Sequence, residues 1–287
     1  MNIVSQMCAI AVMLVIMYFY VSQKKIILHT SRAFVEVWIA GMLSLFFDIF
    51  SLVAIEKRDG YPLTATNIIC KLYLWTVTWV AMVAFWYICV DIFRKKELEC
   101  KWRKRLFIFG IITDILIMSV PIKIYDTDNI VYTYGPAVII TYAVTVSLLG
   151  LILLLTKKYR QVINSRRRKS MQVWVTLMFS AAVIQFINNK LLIVGFASMI
   201  GVLIIFIMLE NPMANIDRDT GLFNLNAFFE YMKEVYGKGK DVSIVCVRYG
   251  SNGNDVFSSK MENSIFFEVV SFIKNIPDNY VFRSSAN

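Results

Sequence analysis

Residues 191–209 read LLIVGFASMIGVLIIFIML, a run without a single charged side chain, and Glu210, Asn211 and Pro212 follow it directly. About 20 apolar residues at ~1.5 Å of helical rise cross a hydrocarbon core of ~30 Å, where only a helix or a closed barrel satisfies every backbone amide. The stretch from Leu191 to Leu209 is therefore read as a membrane helix that Pro212 ends. Six comparable stretches precede it, approximately Ile3 to Val21, Ala33 to Ile55, Thr64 to Phe93, Leu106 to Ile122, Gly135 to Thr156 and Ser170 to Asn188. The alternating ten-residue segments of a membrane barrel are not found. The expected fold is a membrane all-α bundle of seven transmembrane helices over residues 1–209.

Composition agrees with this reading: of 287 residues, 58% are hydrophobic and only 17% charged, well outside the soluble norm. The net charge of +10 does not point to nucleic acid, because the basic residues are confined to alternate loops. Lys24, Lys25 and Arg32 lie in the first loop, a run from Arg94 to Arg105 in the third, and a run from Lys157 to Lys169 in the fifth. The intervening loops carry few cations: Lys57 and Arg58 beside Glu56 and Asp59, Lys123 beside Asp126 and Asp128, and Lys190 alone. Positive loops stay in the cytoplasm, which places the amino terminus outside and the carboxyl terminus inside, with anionic lipid as a secondary partner. No positive charge precedes the first apolar run, so it is read as a retained helix and not as a cleaved signal peptide. Cys8, Cys70, Cys89, Cys100 and Cys246 stand singly, without metal or redox spacing, and are read as structural thiols.

After Leu209 the composition turns polar, and residues 210–287 read as a soluble α/β segment. It opens with Asp217-Arg218-Asp219-Thr220-Gly221-Leu222-Phe223-Asn224. A helix is expected from Asn226 to about Val235, stopped by Gly237 and Gly239. A strand is expected over Val242 to Tyr249, a turn over Gly250 to Asn254, a second helix from Ser259 to Asn275, and a further strand beginning at Tyr280 to Arg283.

That order of elements, opened by Thr-Gly-Leu-Phe-Asn after a membrane helix, resembles the start of the GGDEF domain of bacterial diguanylate cyclases. The family pattern is Asp-x-Leu-Thr-Gly-Leu-x-Asn-Arg. Asp217, Thr220, Gly221, Leu222 and Asn224 match it, whereas Asp219 and Leu225 replace its leucine and arginine. In the family the first strand ends in Asp-x-Asp, whose first carboxylate holds magnesium; the resemblance puts Cys246 and Arg248 there. It puts Asn254 and Asn263 at the guanine-contacting positions, so any nucleotide-binding role falls to those two residues. Ile276 and Asn279 occupy the positions of the family's inhibitory Arg-x-x-Asp site. Magnesium takes oxygen ligands, and phosphoryl transfer depends on it, so a cysteine and an arginine offer no metal site. The Gly-Gly-(Asp/Glu)-Glu-Phe hairpin is expected after Arg283, where the chain reads Ser284-Ser285-Ala286-Asn287. The expectation is a partial, degenerate GGDEF-like tail with no catalytic residue, no metal and no cofactor, on a chain that looks truncated or split.

Charges inside a bilayer cost at least ~2.5 kcal/mol each by insertion scales and so need partners. Asp48, Lys71 and Asp114 are the three that stand out. Counted along their helices, Asp48 and Lys71 reach nearly the same depth, so a pair between them lining an outward-facing ligand cavity is one expectation. A purely structural pair is the other. Asp114 has no partner that the sequence reveals. Glu36, Asp91 and Lys123 are close enough to the interfaces to reach water, and His29 is read as solvated. Trp75, Trp79, Trp86 and Tyr87 are read as packing or anchoring groups. Together these point to a bacterial inner-membrane signal-transduction protein that could dimerise, sense an external ligand, and meet guanine nucleotide or cyclic di-GMP through its tail. The alternatives are a fragment of a longer diguanylate cyclase or phosphodiesterase, and a membrane transporter.

Overall fold

A computed structural model describes residues 3–57, 60, 62–92, 96–127, 130–188, 191, 193–247, 259–276 and 279–284. They form two compact units, Met1–Ser22 with His29–Asn211, and Gln23–Leu28 with Pro212–Asn287.

The first unit is a helical bundle of α1 (Val4–Ser22), α2 (His29–Glu56), α3 (Leu63–Ile92), α4 (Lys96–Ser119), α5 (Pro136–Lys158), α6 (Ser165–Ile187) and α7 (Val194–Ile205). Among the described residues six of its helices are long and apolar enough to cross a membrane: α1, α2, Leu63–Val90 of α3, α5, α6, and α7 with its continuation to Asn215. The chain is thus a multi-pass membrane protein. The fourth expected span, Leu106 to Ile122, corresponds to α4, which falls short by this measure. Its first three turns carry Lys101, Arg103, Lys104 and Arg105, leaving only the part from Leu106 onward apolar.

Helix α3 is the centre of the bundle, packed against α2, α4 and α5, while α7 packs on α1, α2 and α6. Phe34, Tyr87, Leu149, Met171 and Trp174 belong to one continuous apolar core. Many large apolar residues instead point outward, among them Leu14, Phe50, Ile115 and Leu154, the pattern of a bundle whose solvent is lipid. The indole of Trp38 donates to the Met13 carbonyl at 2.8 Å, tying α2 to α1.

Between α4 and α5 lies a two-stranded antiparallel hairpin, β1 (Lys123–Thr127) and β2 (Ile130–Tyr134), with Lys123 opposite Tyr134 and Thr127 opposite Ile130. Gly135, at φ 110, turns β2 into α5, and Pro136 occupies the first helical position, where its missing amide costs nothing. At its far end α7 loosens into a π turn over Phe206–Glu210; Asn211 is extended, as the residue before a proline prefers, and Pro212–Asn215 form a 3₁₀ turn.

Among its described residues the second unit has two α-helices, α8 (Leu225–Gly237) and α9 (Ser259–Lys274). Its small core gathers Ile26, Phe223 and Ala227, with Tyr231 and Phe282 packed on them. The strand expected over Val242 to Tyr249 does not form in its described part: residues 242–247 are in no strand, and Val245 is 84% exposed. A strand exists only through a ladder partner, and the segment from Tyr280 to Arg283 pairs elsewhere. The Phe223 amide donates to the Val281 carbonyl at 3.1 Å and the Arg283 amide to the Phe223 carbonyl at 2.7 Å, an isolated parallel bridge. The α/β character expected of the tail is therefore not present among the described residues.

Candidate functional site in the polar interior of the bundle

Asp48 lies in the middle of α2, 2% exposed. The Gln6 amide of α1 donates to its Oδ2 at 3.1 Å, and the Tyr73 hydroxyl of α3 is its second hydrogen-bond donor. Gly195, in the first turn of α7, passes so close that a Cβ there would lie 3.3 Å from the same oxygen. The positive end of α7 thus faces the carboxylate, and two neutral donors complete its surroundings. Lys71 is not its partner: the ammonium donates to the Met118 carbonyl at 2.7 Å. The expected Asp48–Lys71 pair is corrected accordingly. The two side chains leave their helices toward different partners.

From Tyr73 the polar interior continues across a cavity of about 60 Å³ lined by Tyr73, Thr141, Tyr142, Thr145 and Gln185 among apolar neighbours. Gln185 of α6 accepts from the Ile193 and Val194 amides, both at 3.0 Å, so it caps the start of α7; its side chain also bonds Tyr142. Helices α3, α5, α6 and α7 are therefore linked by uncharged donors and acceptors around a space with room for a few water molecules at ~10–15 Å³ each.

A second buried polar cluster closes the other end of α7. Glu210, the last residue of the π turn, is 7% exposed. It accepts from the Tyr87 hydroxyl of α3 at 2.6 Å and from the Ser31 hydroxyl of α2 at 3.2 Å, and the Arg167 guanidinium of α6 stands 3.4 Å away. Arg167 also lies over the Tyr87 ring at 5.1 Å, and the Tyr20 hydroxyl donates to the Ser31 carbonyl at 3.2 Å. Sequence reasoning took Glu210 only as a helix terminator. A lone acid following an uncharged run, with arginines in a nearby basic loop, was the available signal.

Asp114 on α4 does have partners, the indoles of the third helix: Trp79 donates at 3.0 Å and Trp75 also bonds it. Trp86 receives Arg103 over its face at 5.8 Å, and Arg103 bonds Glu36 at 2.9 Å. His29 is bonded to Glu99 and is not simply solvated.

In the tail, the residues that carry the family resemblance form one hydrogen-bonded turn. Asp217 Oδ1 accepts from the Thr220 amide at 3.0 Å, the Thr220 hydroxyl at 2.8 Å and Arg283 at 2.9 Å. Gly221 takes φ 65, and the Asp217 amide donates to the Leu222 carbonyl at 2.8 Å. Asn224 caps α8 by accepting from the Ala227 amide at 3.0 Å. Partial burial alone would raise the Asp217 carboxyl. The bonds from Thr220 and Arg283, with the Arg283 charge, outweigh it and hold the carboxyl below its ordinary range.

Cys246 is exposed. Arg248 and Asn254 lie outside the described residues; Asn263 lies in α9, with its side chain outside them. Among the described residues no three His, Cys, Asp or Glu side chains gather closely enough to hold a metal ion. No protein-family model matches the chain, and no curated protein is significantly similar to it.

Proposed function

We propose that the chain is a bacterial inner-membrane signal-transduction protein in which a seven-helix sensory bundle is joined to a degenerate GGDEF-like tail. In this reading α4 is a membrane span, the fourth of seven. Its residues Phe107, Ile108, Ile112, Ile115 and Leu116 expose a greasy surface, and its basic first half belongs to a cytoplasmic loop, with the amino terminus outside and the tail inside. A second copy of the chain, and guanine nucleotide or cyclic di-GMP, are the partners that the family resemblance brings with it.

The observation that carries the reading is the turn from Asp217 to Asn224. Five residues shared with the family opening are spent on one compact hydrogen-bonded unit, which begins seven residues after the π turn ends at Glu210. Cys246 and Arg248 at the positions of the metal carboxylates remove the donors that cyclic di-GMP synthesis requires, so the tail relays and does not catalyse.

The test uses the full chain in lipid nanodiscs. With Glu210→Gln, amide exchange over residues 213–224 is expected to quicken at least about threefold, because the end of α7 is released from Tyr87, Ser31 and Arg167. Unchanged exchange would separate bundle from tail and remove the signalling reading. Cyclic di-GMP formation from GTP and magnesium by the same preparation would contradict the non-catalytic tail.

A further inference from the structure

Serine and threonine hydroxyls on these helices mostly find a partner, some on another helix, as Ser31 and Thr66 do, and more on their own. Thr76, Thr78, Thr113, Thr141, Thr156 and Ser170 each donate to a carbonyl three or four residues back on their own helix, at 2.7 to 3.0 Å. Thr145 on α5 and Ser198 on α7 do not. Their hydroxyls are as deeply buried, in residues 5% and 6% exposed, and bond to nothing; the indole Nε1 of Trp174 on α6, in a residue 1% exposed, is likewise unpartnered. Each such group forfeits about 1–3 kcal/mol unless something meets it, and three in one place is not what chance scatter gives.

They are in one place. Thr145, Trp174 and Ser198 line a single cavity of about 10 Å³ with Ser44, Val80 and Leu149. Val77, Thr145, Met178 and Val194 line both this cavity and the one of about 60 Å³ behind Tyr73 and Tyr142, so the two adjoin along a common wall. None of the lining residues of either carries a charge.

We propose that the joined cavities are a binding site for a small uncharged molecule with an aliphatic body and a hydrogen-bond acceptor such as a carbonyl oxygen. The nitrogen edge of the Trp174 indole is seated against Gly201, so the two hydroxyls, both free to donate, are the groups an acceptor would meet. Val77, Val80, Leu149 and Met178 supply apolar walls for the body. A carboxylate would be buried here without a cation, at a cost the site does not offset. At ~10–15 Å³ per probe-sized group the space takes roughly six non-hydrogen atoms. The inference rests on the sensory reading of the bundle and gives it a ligand class.

The experiment uses the full chain in nanodiscs, labelled with carbon-13 at its methionine methyls, and titrates 2-pentanone, pentane and pentanoate. The expected result is a saturable shift of the Met178 methyl with 2-pentanone alone. The apparent Kd should weaken at least about tenfold in the near-isosteric pair Thr145→Val and Ser198→Ala, and recover in part when Thr145→Ser replaces Thr145→Val. Absence of any saturable shift, which would leave water as the sole occupant, overturns the proposal. So does an equal response to pentane, which would mark a greasy void, or tighter binding of pentanoate. Amide exchange over 213–224 is read on the same samples: saturable binding without any tail response keeps the site and sinks the signalling reading, so the two failures are distinguishable.

Discussion

Asp48 is tolerated in the bundle because three separate elements answer its charge: the Gln6 amide, the Tyr73 hydroxyl and the start of α7. Removing one donor should therefore cost about as much as orphaning part of a buried acceptor. Tyr73→Phe is expected to destabilise the bundle by about 1–3 kcal/mol, read as a lower unfolding midpoint in nanodiscs, whereas Lys71→Met should change it by less than about 1 kcal/mol, since it frees only one carbonyl at the bundle edge. A larger loss for Lys71→Met than for Tyr73→Phe would restore the ion pair. Gly201 sets a second limit: a Cβ there would fall 1.6 Å from Trp174 Nε1, so Gly201→Ala forces the indole to move and should prevent assembly. Trp174→Phe in the same chain should recover most of the folded yield, a coupling that independent sites would not show. That Asp48 and Asp114 need partners is legible from their place in apolar runs. Which partners is not, because depth along a helix can be counted but the direction in which a side chain leaves it cannot, and Gln6 and the Trp75–Trp79 pair look like ordinary span residues.

The end of α7 and the opening of the tail are the elements where local chemistry decides most. The π turn of Phe206–Glu210 places Glu210 against α2, α3 and α6 at once, and Tyr87→Phe alone should cost about 1–3 kcal/mol by leaving the carboxylate short of its nearest donor. In the tail, the Asp217 carboxyl is held below its ordinary value, so its contribution is fully present above the ordinary carboxylate range and is lost as the pH falls below it. Protection of the amides over 217–224, relative to their intrinsic rates, should then fall below about pH 4, and Arg283→Ala should reduce that pH dependence, with the Thr220 bonds keeping the rest; a turn equally protected at pH 3 and pH 7 would contradict it. The bond from Arg283 to Asp219, a residue whose side chain is 77% exposed, adds little. The helices α8 and α9 were readable to within two residues from caps and periodicity. The hairpin lies where only an inter-span loop is expected, although β-branched and aromatic residues flank Asp128-Asn129 on both sides. The expected strand near Val242 failed for the opposite reason: its β-branched residues state a preference, but strand pairing is a property of two segments.

Taken whole, the molecule is legible wherever a long apolar run must find lipid, which is why the membrane bundle follows from the sequence almost unaided. Where charge interrupts an apolar run, as in α4, length and composition stop short, and six spans are evident while the seventh is part of the proposed topology. The parity matters physically: with seven crossings the two termini face opposite sides, with six they share one. The measurement that tests this most directly labels Cys246, exposed in the tail, with a membrane-impermeant maleimide in a Cys8→Ser, Cys100→Ser background. No labelling in intact cells and full labelling after permeabilisation is the predicted result. Labelling of Cys246 in intact cells would put the tail outside and contradict the account.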